Sequence, residues 1–271
     1  MDLLGLARDP HTPAAELADA VAWCAEVSAL PAMLLLVAHP DTAVRRSVAQ
    51  ALPRLAGVPR PGAVVAALIS LSRDPAAEVR DWACYALGTR LSDVDSQPVR
   101  DALAARLADA DPHVCCEALL GLAHRRDPRA LPAVRGRLAG EHVRLSEILA
   151  AGALGDPSLH VLVRAHLAGW GPEAVPRVCA ALRLTDPDGV GDDLLDGLAE
   201  WYADRADGVA LADRYWWSIA LNLLEQAEHR AVEIAEAVHG RLRHNPDATA
   251  RLLASKLAAI ASAHGWLPDG A

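Results

Sequence analysis

Apolar residues recur at steps of three and four along nearly the whole chain, and no stretch alternates apolar with polar as a half-buried strand would. Val79, Ala83, Ala86 and Leu87 make one such stripe, with Arg90 beyond it, which predicts a half-buried helix. The breaks between stripes carry helix-start chemistry. Asp74-Pro75, Asp111-Pro112, Asp127-Pro128, Asp156-Pro157 and Asn245-Pro246 each set a capping acceptor ahead of a proline suited to a first helical turn. His39-Pro40-Asp41 is a weaker version of the same turn.

The stripes repeat. Val44-Arg45 leads to Ala51-Leu52, Val79-Arg80 to Ala86-Leu87-Gly88, and Val114-Cys115 to Gly121-Leu122-Ala123, so the valines stand 35 residues apart twice over. A period of that length marks stacked supersecondary units. In one full unit, residues 61–72 form a first helix, Arg73-Asp74-Pro75 a turn, and residues 76–90 a second helix; residues 91–98 link to the next pair. Two short helices cannot bury a two-sided apolar surface alone, so neighbours must stack. The later marks, Ala153-Leu154 and Ala181-Leu182, follow at steps of 32 and 28, so the repeat decays. Leu4-Gly5-Leu6-Ala7 before Asp9-Pro10 reads as the tail of an incomplete unit that caps the array.

The prediction is an all-α solenoid of about six helical hairpins. Residues 1–189 form the array with its N-terminal cap, and residues 190–271 a divergent helical C-terminal cap of the same continuous solenoid. In the cap, Leu194, Leu198 and Trp201 still make a stripe, followed by Tyr215-Trp216-Trp217 and amphipathic stretches at 230–243 and 247–263. Trp216 and Trp217 cannot both point inward from one helix, because adjacent residues differ by about 100°.

Composition agrees with helix: 52% of the 271 residues are hydrophobic, Ala and Leu dominate, and Phe is absent. A formal net charge of −9 disfavours a general nucleic-acid binder, which needs a basic footprint. The charge is uneven: residues 186–213 hold nine acids and one base, and residues 124–144 six Arg and two acids. Both suit solvated faces, or a pair of electrostatic patches for partners. Five Cys, an odd count without a secretory start, fit free thiols in a reducing compartment. The longest apolar run, 29–38, is too short to span a bilayer, so the expectation is a soluble cytoplasmic protein without a membrane segment.

The run from Asp74 to Gly88, with Pro40-Asp41-Thr42-Ala43-Val44-Arg45, resembles the HEAT-repeat signature, in particular bacterial HEAT-repeat proteins of the phycobilisome-lyase-like type. The run from Asp9 to Leu17 is similar to bacterial leucine-rich-repeat-variant units, all-helical relatives. The resemblance covers about residues 30–185. It implies a scaffold that binds through a concave surface lined by the second helices, and an Arg-to-Asp pairing between repeats. The third unit departs from that pairing, with Cys115 in place of Arg. Relatives of this kind include adaptors, subunits of complexes, bilin-attaching lyases and alkylpurine DNA glycosylases.

Two positions past each key valine stand Arg46, Asp81 and Cys116, and six past stand Gln50, Tyr85 and Leu120. Residues four apart share a helix face, so these six are expected to form neighbouring rungs of one partner-binding ridge, or else an ordinary solvated surface. Trp82, three past its valine, either anchors a partner or packs on the next repeat. His113-Val114-Cys115-Cys116 lacks zinc spacing, and 186–193 lacks the closing Glu of a calcium loop, so no metal and no cofactor is expected. No phosphate loop, nucleophile elbow or dinucleotide fingerprint occurs. The expected function is therefore non-catalytic protein–protein interaction. The alternative is a HEAT-like alkylpurine DNA glycosylase, in which Asp81-Trp82 and the arginines of 125–144 would serve.

Overall fold

A computed structural model describes residues 2–24, 26–55, 62–203 and 213–268, the stretch 213–216 by its backbone alone. Helices account for every regular element among the described residues. They fall into two compact units, Met1–Ala133 and Val134–Ala271.

The first unit holds α1 (Leu3–Arg8), α2 (Ala14–Trp23), α3 (Leu30–Leu36), α4 (Thr42–Leu55), α5 (Gly62–Leu71), α6 (Ala77–Tyr85), α7 (Gln97–Ala104) and α8 (Pro112–His124). Odd-numbered helices neighbour one another in the order α1–α3–α5–α7, and even-numbered ones in the order α2–α4–α6–α8. The unit is thus a two-layer stack of helical hairpins. The layers follow from the stripes: Val44, Val79 and Val114 are each 0% exposed, as are Leu52, Leu87 and Leu122 eight residues on. The predicted equivalence of the three repeats therefore holds at the level of environment.

Two details differ from the sequence reading. First, α1 packs on α3 and α2 and is capped by its own Asp2, so it is a first-layer helix and not the tail of a second helix. Its Leu-Gly-Leu-Ala resemblance to the end of α8 reflects shared small and apolar composition. Second, Asp74 does not cap α6, which starts three residues later. Its Oδ1 accepts from the Ala76 N–H at 2.9 Å, closing the turn. Asp109 does the same to Asp111 N–H at 3.0 Å, and His39 Nδ1 accepts from Asp41 N–H at 3.1 Å. The repeating turn residue is therefore 39, 74, 109, and the Asp-Pro of 111–112 lies two positions out of step with that of 74–75. Asp111 does cap α8, accepting from His113 N–H at 2.8 Å.

Arginines rivet successive turns. Arg45 Nε and Nη2 donate to Asp74 at 2.6 and 3.0 Å, and its Nη1 donates to the carbonyls of His39 and Pro40. One repeat later Arg80 makes the same set, to Asp109 at 2.9 and 2.7 Å and to the carbonyls of Asp74 and Pro75. At the third position Cys115 Sγ reaches only the Asp109 carbonyl, at 3.1 Å. The sequence loses the acceptor together with the donor, for the residue 35 past Asp109 is Arg144.

The second helix of the second repeat is not α-helical throughout. After α6 the chain runs as a π-helical stretch over Ala86–Arg90, closed by Leu91 N–H to Ala86 O at 2.9 Å. Arg125, 5% exposed, occupies the carbonyl-rich pocket beside it. Its guanidinium donates to Leu87 O at 2.7 Å, Leu91 O and Gly121 O at 2.8 Å, and Val94 O at 2.9 Å. Widening one turn turns carbonyls away from the regular ladder, and the buried cation gathers them. Burial brings this guanidinium down to about 10, still charged at neutral pH.

The second unit is entered through α9 (Ala130–Leu138) and contains α10 (Leu145–Leu154), α11 (His160–Ala165), α12 (Val175–Thr185), α13 (Asp192–Ala203), α14 (Asp213–Gln226), α15 (Ala231–Leu242), α16 (Pro246–Leu253) and α17 (Lys256–Ala263). Its neighbours run α10–α12–α14 and α13–α15–α17. The repeat has decayed here as expected: the leucines of the marks, Leu154 and Leu182, are only half-buried. Tryptophan takes over part of the filling. Trp201 stacks on half-buried Trp217 with ring centroids 4.5 Å apart and planes 4° apart, and Tyr202 meets Trp201 edge-on at 4.8 Å. Trp217 thus packs inward on Trp201; the Trp216 side chain lies outside the described residues, as do residues 204–212 of the acidic segment. The all-α solenoid class, hairpin after hairpin, holds in each unit.

Candidate functional site

The predicted ridge lies on the even-numbered helices of the first unit. On α4, Arg46 and Gln50 are half-buried, and on α6 so are Asp81 and Tyr85. Arg46 Nη1 reaches across to Glu78 Oε2 of α6 at 2.9 Å. Tyr85 meets Trp82 edge-on, centroids 5.6 Å apart. The four α4 and α6 positions are each partly open to solvent.

On α8 the register is displaced by one residue. Cys116 is 4% exposed and Leu120 8%, so neither presents a side chain to a partner. The partly open positions of that helix are instead Glu117 and His124, with His113 exposed ahead of them. The cause is composition: α8 is apolar on most of its circumference, and its side facing outward is fixed by where its polar residues lie. His113, Glu117 and His124 are the polar residues of the helix interior other than cysteine, spaced four and seven, a pattern that the count from the valine overlooks.

Several polar atoms on this side are shut off from solvent and find no partner within the protein: Arg46 Nε, Asp81 Oδ1, Thr89 Oγ1 and Glu117 Oε2. Thr89 continues the line of Asp81 and Tyr85 by a further four residues. A buried polar atom left unpaired costs about 1–3 kcal/mol, so each one asks for an explanation. Burial raises the Asp81 carboxyl, an effect that nearby His113 offsets in part. Burial, with the charge of Asp81 added, pushes the Glu117 carboxyl up to about 7. Burial also lifts the Cys84 thiol to about 12, which leaves it protonated and a poor nucleophile.

The other candidates resolve into structural roles. Of the arginines in 124–144, Arg125 is sunk in carbonyls, and Arg129 bridges Asp101 and Asp127 at 2.8 Å each. In the second unit, Asp192 and Asp196 of the acidic segment pair with Arg241, and Asp193 pairs with Arg183 at 2.6 Å. Arg183 also donates to the Gly189 carbonyl at 2.9 Å, closing the turn that loosely resembled a calcium loop. Among the described residues no three His, Cys, Asp or Glu side chains are grouped to hold a metal ion. No helix among them is long and apolar enough to cross a membrane.

Comparison with known proteins bears on the same segment. The family described as HEAT repeats matches residues 65–155, the stretch from α5 to α10. Protein YibA of Escherichia coli, strains K12 and O157:H7, is 36% identical over 119 residues, which is 44% of this chain and 40% of the relative. The alignment thus spans two-fifths of the length of those curated relatives. The X-ray structure of Escherichia coli YibA superposes with a TM-score of 0.51 at 26% identity, covering 67% of this chain and 66% of that one. Residues 65–155 thus match the HEAT-repeat family, within an all-α chain of stacked helical hairpins.

Proposed function

We propose that this protein is a non-catalytic interaction scaffold that holds a protein partner against the even-numbered helices of its first unit, the side that a HEAT-type array turns toward its ligand. Arg46, Gln50, Asp81 and Tyr85 form the binding ridge, and Glu117 and Thr89 complete it in place of Cys116 and Leu120. What supports this reading is a row of half-buried polar and aromatic side chains, Arg46, Gln50, Asp81, Trp82 and Tyr85, on the neighbouring helices α4 and α6. Half-buried Tyr85 and Trp82 supply the aromatic surface from which interface anchors are drawn.

A cytoplasmic setting suits the cysteine usage, an odd count of five. The bilin-lyase subtype rests on the motif resemblance alone and contributes no step to this proposal. A nucleic-acid enzyme finds less support, because the ridge carries Glu78, Asp81 and Glu117 against Arg46, a poor match to a phosphate backbone.

The test is site-specific photo-crosslinking in cells from a benzophenone residue at position 50, with the captured protein identified and then purified. Tyr85→Ala and Asp81→Arg should each weaken its binding at least tenfold with unchanged circular dichroism. Binding untouched by both substitutions, or salt-sensitive DNA binding with base excision, would overturn the proposal.

A further inference from the structure

The even-numbered face also contains a titratable arrangement that partner binding does not require. Asp81 of α6 and Glu117 of α8 sit on adjacent helices, each with one carboxylate oxygen closed to solvent and without a hydrogen-bond donor. Two buried acceptors without donors are a poor place for two negative charges. The surrounding cations are paired with other acids, although the Nε of Arg46 and that of Arg106 have no acceptor of their own. Arg46 of α4 is bonded to Glu78, and Arg80 and Arg106 to Asp109. On α7, which packs against α8, Arg100 is bonded to Asp95 and Asp127, and Asp101 to Arg129. The other groups are His113, which faces Asp81; Asp111, whose charge adds to that of Asp81; His124 of α8, whose Nδ1 lies 3.3 Å from Gly88 O; and the Cys84 thiol, protonated at neutral pH.

We propose that Glu117 is a proton switch built into the α6–α8 seam: it shares with Asp81 a closed seam in which neither carboxyl's buried oxygen has a hydrogen-bond donor, so its ionisation adds a charge that the seam does not hold by a hydrogen bond. The position of the transition agrees with the Glu117 carboxyl being held at about 7, by burial first and Asp81 second.

The linkage has a definite sign. A carboxyl whose folded value is raised binds its proton more tightly in the folded state than in the unfolded chain, so stability falls as pH climbs from the ordinary glutamate value to the raised one. Stability is then flat with respect to this group on either side of that window. Glu117→Gln imitates the neutral form and removes the effect.

The experiment is carboxyl-carbon NMR of the full chain, with thermal unfolding followed from pH 5 to 8. Glu117 should titrate near pH 7 and move toward the ordinary glutamate range in Asp81→Asn. The wild-type midpoint should fall across pH 5–7 while that of Glu117→Gln changes less, leaving the variant the more stable of the two at pH 8. Glu117 titrating near its ordinary value in the wild type, or two midpoint curves that run parallel, would overturn the proposal. The NMR titration needs no variant, and neither readout depends on a partner being found, so this inference and the scaffold reading fail separately.

Discussion

Gly88 and Gly121 meet backbone to backbone. A Cβ built on Gly121 would lie 2.5 Å from Gly88 Cα, and one on Gly88 would lie 3.0 Å from Gly121 Cα. No side chain stands between the π-helical stretch and α8 at that point, so the two cross as closely as main chains allow. The Arg125 guanidinium bonds to Leu87 O beside one of these glycines and to Gly121 O of the other, which ties the crossing together.

Gly121→Ala should therefore destabilise the first unit by about 1–3 kcal/mol, because the obstacle is backbone and cannot swing aside. Gly136→Ala is the matching control, in helix α9 with nothing within 4 Å of its Cβ. There the substitution should stabilise by about 0.5–1 kcal/mol, through helix propensity. Chemical denaturation of both variants measures the contrast. Equal effects of the same sign would contradict the close crossing.

Removing the arginine that closes this crossing should cost still more. Arg125→Ala strands the carbonyls of Leu87, Leu91, Val94 and Gly121, at a cost on the order of 3 kcal/mol. Arg125→Lys should recover only part of it, since one ammonium cannot replace a planar fork with donors on three nitrogens. Urea unfolding of the two variants would show the order wild type, Lys, Ala.

The Arg-Asp rivets predict behaviour in acid. The hydrogen bonds from Arg80 hold the Asp109 carboxyl below the usual range, and those from Arg129 bring Asp127 to about 2. A carboxyl lowered in the folded state adds stability that is complete above its unfolded value and is lost as pH falls toward the folded one. Unfolding temperature should drop between about pH 4 and 2 as these carboxylates take up protons. Asp109→Asn should be less stable by roughly 3 kcal/mol at neutral pH, with Arg80 left unpaired, and should lose less on acidification. A variant that tracks the wild type in parallel down to pH 2 would rule the rivet out as the source. The Glu117 effect runs the other way and higher up the scale, so the two do not overlap.

Cys84 is 0% exposed with its thiol lifted to about 12, so it should resist iodoacetamide at pH 8 until the protein unfolds. Mass spectrometry of the alkylated protein with and without urea provides the check. Rapid native labelling at Cys84 would mean that α6 opens far more readily than its packing implies.

Much of the first unit is readable in the chain. Val44, Val79 and Val114 are all fully buried because a position packed from all sides admits few residue types, and the constraint recurs in these three repeats. The Arg-Asp rivets are legible for a related reason, since a bidentate pair needs both members, and Cys115 and Arg144 depart together. The proposed ridge is legible only where the helices are amphipathic. Arg46, Gln50, Asp81 and Tyr85 stand out against aliphatic neighbours, whereas on α8 Cys116 and Leu120 carry no mark of inside or outside. A rotation of one residue, about 100°, exchanges them for Glu117.

By itself, then, the order of residues determined helix, hairpin and period, because these depend on which side chains avoid water at steps of three and four. Tertiary structure alone decided the rest: the widened turn before Leu91, the burial of Arg125 in its carbonyls, and the approach of Asp81 to Glu117. Each of those depends on what a neighbouring repeat brings within a few ångströms, and on how much water is left between them. Local sequence encodes neither.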